Sequence, residues 1–243
     1  MSNTLSARPY LQEISIRPDA DIDLNSYPFS IPAVQELNFL KFHPDVTFFV
    51  GENGSGKSTI LEAIALAMGF GPEGGSKNVQ LLYTTDSVSP LHASLKLRKS
   101  FRKPTDGYFL RAESFFNVAT YMDAIGTPDR SLHACSHGEA FMQLLINKFR
   151  GNGLYLLDEP EAALSPNRQL AALSAIHQLV QNESQFIIAT HSPILLAYPN
   201  AKILQFDGTG IAEVAYEDTE HFAITRDFLN HYPRRLEQLL GDE

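Results

Sequence analysis

The chain has 243 residues, 44% of them apolar, and a net charge of −9 from 28 acidic and 19 basic residues. That length suits one large α/β domain, or one with an inserted lobe, at about 100–200 residues per domain, and the apolar share suits a substantial core. The acidic balance opposes non-specific attraction to nucleic acid or anionic membrane, although a local basic patch would survive it.

The single cysteine, Cys135, excludes an intrachain disulfide and fits a reducing cytoplasm. The opening MSNTLSARPY has neither the basic nor the apolar region of a secretory signal. No run reaches the ~18 apolar residues of a membrane span. A cytoplasmic protein is expected, with no direct membrane insertion; any role at a membrane would run through a partner subunit.

Residues 10–50 read as a β-rich entry. YLQEISIRP alternates weakly, as an edge strand does, and Pro18, Pro28 and Pro32 mark turns and extended chain. VQELNFLKF reads as a strand turned by His43-Pro44-Asp45. Tyr27 and Phe29 are candidates for a ring against adenine, core packing being the commoner use of such residues.

VTFFV then feeds Gly51-Glu52-Asn53-Gly54-Ser55-Gly56-Lys57-Ser58, which fits G-x-x-x-x-G-K-[ST]. A helix is expected from Thr59 to Met68, stopped by Gly69, Gly71 and Pro72. Buried strand, glycine-rich loop and helix is the context this motif requires. Backbone N–H groups of Gly54 to Ser58 can wrap a β-phosphate at the positive end of the helix. Lys57 reaches the β- and γ-phosphates and the Ser58 hydroxyl suits Mg²⁺. Gly51, Asn53, Gly54, Ser55, Gly56 and Thr59 complete the expected nucleotide contacts.

GPEGGSKNVQ reads as a polar surface loop in which Lys77 and Asn78 could touch phosphate. LHASLKL, 91–97, alternates like a strand, and Arg98, Lys99, Arg102 and Lys103 follow as a solvated hairpin rather than a nucleic-acid contact. The strand 107–110 delivers Arg111 and Glu113 to the carboxyl end of a sheet, where open α/β folds hold ligands. Residues 115–130 read as a helix and turn. Ser136 and Glu139 form a capping box ahead of the helical AFMQLLINKF.

LYLLDEPE is the second strong signal. A buried strand ends in Asp158, suited to hold Mg²⁺ through water, and Glu159, suited to orient or deprotonate an attacking water. An acidic pair at a strand end says little alone; coupled to the glycine-rich loop it points to phosphoryl transfer. A helix over 167–181 leads to the strand QFIIATHSP, whose mouth should neighbour that of 154–157. There His191 could reach a γ-phosphate or the attacking water, the alternative being a satisfied structural histidine. A hairpin turned at Asp207-Gly208 and an amphipathic helix with Phe228, Leu229, Leu236, Leu239 and Leu240 close the chain.

In this order, GENGSGKST, SHGE, LLDEPE and ATHSP resemble the ABC-type ATPase superfamily, above all compact soluble ATPases related to the RecF and Rad50/SMC heads, in which FLRAESFF also recurs. The resemblance implies an α/β P-loop NTPase with a mixed central sheet, an antiparallel β portion and a short helical subdomain. It implies ATP and Mg²⁺ as ligands, Gly51 to Ser58 as the Walker A loop and Asp158 as the Walker B aspartate. Glu159 takes the place of the catalytic glutamate, Glu161 to Ser165 the D-loop, and His191 the switch histidine. Cys135 to Glu139 takes the place of the signature loop, with Ser136 and Gly138 meeting the γ-phosphate held by a second subunit. His137 and Glu139 depart from the signature's usual glycine and glutamine. No Q-loop glutamine is evident, and Glu113 is the candidate near Mg²⁺.

The expectation is one ABC-type domain over 1–243, with 70–150 as an inserted lobe carrying the signature-like loop. The span 70–135 is too short for a coiled-coil arm and lacks heptads. Mg²⁺-dependent ATP hydrolysis coupled to head-to-tail dimerisation is the leading functional expectation. The alternatives are an ATP-dependent switch for an unidentified DNA-repair or defence partner with little turnover of its own, and the ATP-binding subunit of a transporter. Direct DNA binding has no support from the net charge.

Overall fold

The computed structural model describes residues 8–76, 89–111 and 137–241. The chain opens with β1 (Leu11–Ile16), helix α1 (Pro32–Gln35) and β2 (Leu40–Lys41), then runs through β3 (Val46–Gly51) into helix α2 (Lys57–Ala67). After β4 (Gly75–Ser76) come α3 (Leu91–Ser94), β5 (Leu95–Lys99) and β6 (Asp106–Arg111). Helix α4 (His137–Gln143), prolonged by a π-helical turn over Leu144–Lys148, leads to β7 (Gly153–Asp158). Helix α5 (Pro166–Gln181), β8 (Gln185–Ala189), α6 (Pro193–Leu196), β9 (Lys202–Asp207), β10 (Gly210–Val214) and α7 (Glu220–Leu240) complete the order.

Seven strands form one sheet in the order β10-β9-β3-β8-β7-β6-β4. The five inner strands are parallel, and each edge strand is antiparallel to its neighbour. A parallel sheet is covered on both faces, so its strands read as unbroken apolar runs whose residues alternate sides. Phe49, Leu154, Leu156 and Ile187 pack on one side with Ile60, Leu61 and Ile64 of α2. Phe48, Val50, Tyr155, Leu157 and Ile188 pack on the other with Ala172 and Ile176 of α5 and Phe141 of α4. Burying a side chain of this size contributes roughly 1.5–3 kcal/mol, so these alternating strands dominate the stability of the sheet.

A second, three-stranded antiparallel sheet in the order β2-β1-β5 sits over α2. Gln185, fully buried at the start of β8, ties it to the large sheet: its Nε2 donates to the Leu11 and His43 carbonyls and its Oε1 accepts from Leu11 N–H. The stretch 70–150 contributes β4 and β6 to the central sheet and β5 to the small one, so its described parts are built into both sheets. Among the described residues no helix is long and apolar enough to cross a membrane.

Several local expectations need correction. β1 is the middle strand of its sheet, not an edge. VQELNFLKF is split: Pro32 at the first turn starts α1, and only Leu40–Lys41 is strand. Residues 91–94 are helical and the strand begins at Leu95. In both segments apolar residues at short spacing suit either element, and neighbouring packing decides. The closing helix forms, but none of its residues is buried. An amphipathic pattern declares an apolar face; it does not supply a neighbour to cover it.

Candidate functional site

β3, β7 and β8 end together at one edge of the sheet: Phe49 pairs with Ala189, and Ala189 pairs with Asp158. That register delivers the glycine-rich loop, the acidic pair and the histidine to the same crevice, at the carboxyl ends of the strands. The neighbouring strand mouths expected from LYLLDEPE and QFIIATHSP are therefore adjacent.

The loop turns on residues with positive φ at Gly51, Gly54 and Gly56, the last of which is the N-cap of α2. At Gly51, with φ 140°, a Cβ would lie 2.1 Å from the Phe206 carbonyl oxygen of β9. Only glycine lets the loop leave the sheet that close to its neighbour. Lys57 is buried and its Nζ donates to the Gly51 and Glu52 carbonyls, 2.8 Å each. Burial pulls the ammonium below the usual lysine range, and Glu159, Asp158 and Glu161 pull it back up. Ser55 Oγ is buried and has no hydrogen-bond partner among the described residues.

Ser58 Oγ donates to Asp158 Oδ1 at 2.9 Å, joining the start of α2 to the end of β7. A hydroxyl and one buried carboxylate meeting at a phosphate loop fit Mg²⁺, which keeps most of its waters and takes few protein ligands. Among the described residues no group of three or more His, Cys, Asp or Glu side chains suits a metal cage. Thr59 Oγ1 lies 3.3 Å from the exposed Tyr27 hydroxyl, while Phe29 is buried in the core. The core use holds for Phe29, and Tyr27 is exposed beside the loop with its hydroxyl on Thr59.

Glu159 follows at φ 48°, a left-handed backbone that a glutamate seldom adopts. Observed strain of this kind gathers at functional positions. Its Oε1 lies 3.5 Å from His191 Nε2, a contact short of a formed hydrogen bond; among the described residues that buried nitrogen has no hydrogen-bond partner. His191 N–H donates to Glu161 Oε1 at 2.6 Å, and His191 Nδ1 lies 3.0 Å from His221 Nε2 of α7. Burial and then the Lys57 charge hold His191 below the usual histidine value, with Glu159 opposing. Burial pushes the Glu161 carboxyl up, with the His191 N–H opposing.

Arg111, at the end of β6, pairs with Glu62 of α2 at 2.9 Å, so this charge at the strand end braces the helix. Gly138 lies in α4, where a Cβ would meet the Ala163 carbonyl oxygen at 2.5 Å and Arg168 Nη1 at 2.6 Å. The structure thus packs Gly138 against the turn after Glu159 and against α5, and Glu139 accepts from Arg168 at 3.0 Å. Ser136 and Glu113 lie outside the described residues, as do Lys77, Asn78 and Cys135.

Two contributors escape sequence reasoning. Glu161 is legible as part of a D-loop-like turn, but its hold on the His191 backbone is not. His221 carries no motif at all; only the packing of α7 brings it to His191.

Residues 24–119 match the model of the AAA domain family, a span that includes the glycine-rich loop. No curated protein matches the chain by sequence. Among solved structures the chain is similar to the SMC head bound to the C-terminal winged-helix domain of ScpA, at 16% identity, TM-score 0.47, covering 85% of this chain and 98% of that one. It is similar to the SMC head domain from Thermotoga maritima, at 16% identity, TM-score 0.39, covering 84% and 98%. It is also similar to cbiO1 from Clostridium perfringens, part of the ABC transporter complex cbiONQ, at 17% identity, TM-score 0.43, covering 81% and 87%. By its own strand order and glycine-rich loop the chain is a mixed α/β fold with a P-loop-type turn at the carboxyl ends of a largely parallel sheet, and its residues 24–119 match the AAA domain family.

Proposed function

We propose that the chain binds ATP with Mg²⁺ at the glycine-rich loop and hydrolyses it to ADP and phosphate. The observation that carries this reading is the approach of Glu159 to His191, 3.5 Å apart, on the strand edge that also holds Lys57 and the Ser58–Asp158 pair. The Lys57 ammonium would oppose charge on the β- and γ-phosphates, with the loop N–H groups beside it. Ser58 and Asp158 would hold Mg²⁺, which when bound neutralises phosphate charge. Glu159 would take a proton from water as its oxygen bonds to the γ-phosphorus, and the bond to the ADP oxygen breaks. His191 would donate from Nε2 to the γ-phosphate. Ser136 and Gly138 of a second copy would complete the site in a head-to-tail dimer, with Glu113 a further neighbour of Mg²⁺.

Replacing Glu159 by glutamine should lower turnover about a hundredfold or more, while ATP binding persists and light scattering detects a trapped dimer. Full turnover in Glu159→Gln would overturn the assignment. A second reading, ATP as a switch for a protein partner, is favoured by the exposed Leu229, Leu239 and Leu240 of α7. Rapid hydrolysis by the purified chain alone would count against it.

A further inference from the structure

We infer that His221, on the first turn of α7, is a positioning residue that fixes His191 in the tautomer carrying its proton on Nε2. The inference rests on the reading of His191 as the γ-phosphate contact. His191 is held at two points, its backbone N–H by Glu161 Oε1 and its Nδ1 by His221 Nε2. The remaining ring nitrogen, Nε2, is buried, has no hydrogen-bond partner among the described residues, and faces Glu159 Oε1 at 3.5 Å.

A neutral imidazole offers one donor and one acceptor. Across the 3.0 Å contact one ring must donate. Were His191 the donor, its Nε2 would turn a lone pair toward a carboxylate and toward incoming phosphate oxygens, and both approaches would be repulsive. With His221 donating, His191 Nδ1 accepts and Nε2–H becomes a donor aimed at anions. The partner of one ring nitrogen sets the chemistry of the other. Burial holds both imidazoles below the ordinary histidine value, which keeps the pair neutral near pH 7, as this arrangement requires.

The first turn of α7 is anchored to the segment that carries His191. Thr219, fully buried, caps the helix by accepting from Phe222 N–H, and its hydroxyl donates to the Tyr216 carbonyl. The Tyr216 hydroxyl donates to the Pro193 carbonyl at 2.8 Å, two residues past His191, and the Tyr216 and Phe222 rings pack at 4.5 Å. Glu52 and Asn53 of the glycine-rich loop line the same cavity of about 550 Å³ as His191 and His221. The two-ring contact therefore opens onto the phosphate loop.

The test compares His191→Ala, His221→Leu and His221→Gln in the full chain by steady-state ATP hydrolysis, with the His191 ring tautomer of the unsubstituted chain read by ¹⁵N NMR. His191→Ala should lower kcat about a hundredfold. His221→Leu should lower kcat about tenfold with KM for ATP unchanged, and His221→Gln, which keeps an N–H donor, should restore most of it. The NMR spectrum should show the Nε2–H form of His191. Full kcat in His221→Leu beside an impaired His191→Ala overturns the role of His221 and spares that of His191. Full kcat in His191→Ala overturns the reading beneath it. Equal loss in the leucine and glutamine variants, or a His191 proton on Nδ1, also overturns the inference.

Discussion

Lys57 is held by backbone carbonyls five and six residues away, whereas both groups that hold His191 come from side chains 30 residues distant, Glu161 before it and His221 after it. The first arm of the site is a local structure: a strand, three glycines with positive φ, and a helix start. The second exists only once β8, the turn after β7 and the first turn of α7 have docked. A local arm tolerates change elsewhere in the molecule, and a distributed arm transmits it. The difference places any coupling between the nucleotide edge and the rest of the chain on the His191 side.

The largest expected effect lies on the local arm. Lys57→Ala removes the buried ammonium and leaves the Gly51 and Glu52 carbonyls without this donor. Turnover should fall about 10²–10³-fold, and nucleotide affinity, measured by titration with a fluorescent ATP analogue, should fall with it. A loss of kcat alone with affinity intact would break the comparison, because the lysine would then act as the histidine arm is expected to act.

A smaller effect, on stability, reports on the distributed arm. His191 and His221 both lie below the ordinary value of 6.5. As pH falls through 6.5 the unfolded chain takes up protons first, so folding stability drops from there until the folded pair titrates in turn. Above 6.5 the pair adds no pH dependence. Glu161 has the opposite sign: raised above 4.5, its carboxyl costs stability at neutral pH, and that cost is relieved as the folded form protonates on acidification. Thermal melts at about pH 7.5 and about pH 5.5 should show a larger drop for the unsubstituted chain than for a His191→Asn/His221→Gln double variant. An equal drop in both would remove the pair as a pH-sensitive element.

The same division explains what could be read in advance. Gly51 to Ser58 has a fixed spacing because one loop must wrap one phosphate, so residues alone reveal it. The unbroken apolar runs at 48–50, 154–157 and 186–189 reveal buried parallel strands, since a sheet covered on both faces disfavours polar positions. Pro32–Gln35 and Leu91–Ser94 were illegible as helices because four residues make barely one helical turn, and telling helix from strand takes a window of about 11–18 residues. The Glu161 and His221 contacts were illegible for a different reason. A hydrogen bond between side chains 30 residues apart leaves no spacing rule, and a histidine on the first turn of a helix is ordinary until its neighbour is known.

The smallest expected effect divides α7 itself. Its first turn is tied down by Thr219 and Tyr216, but at His231 the backbone departs from helical geometry and kinks the helix, with Pro233 just beyond. Beyond that kink Tyr232, Leu236, Leu239 and Leu240 are exposed, and the Arg235 guanidinium pairs with Asp227 of the same helix. A chain ended after Asn230 loses contacts of this exposed kind only. Its stability should change by about 0.5 kcal/mol or less, with kcat and KM for ATP intact. A chain ended before Thr219 removes His221 and should show the kcat loss of His221→Leu. If the shorter cut alone lowered kcat, the far half of α7 would belong to the distributed arm, and the boundary drawn at the kink would have to move.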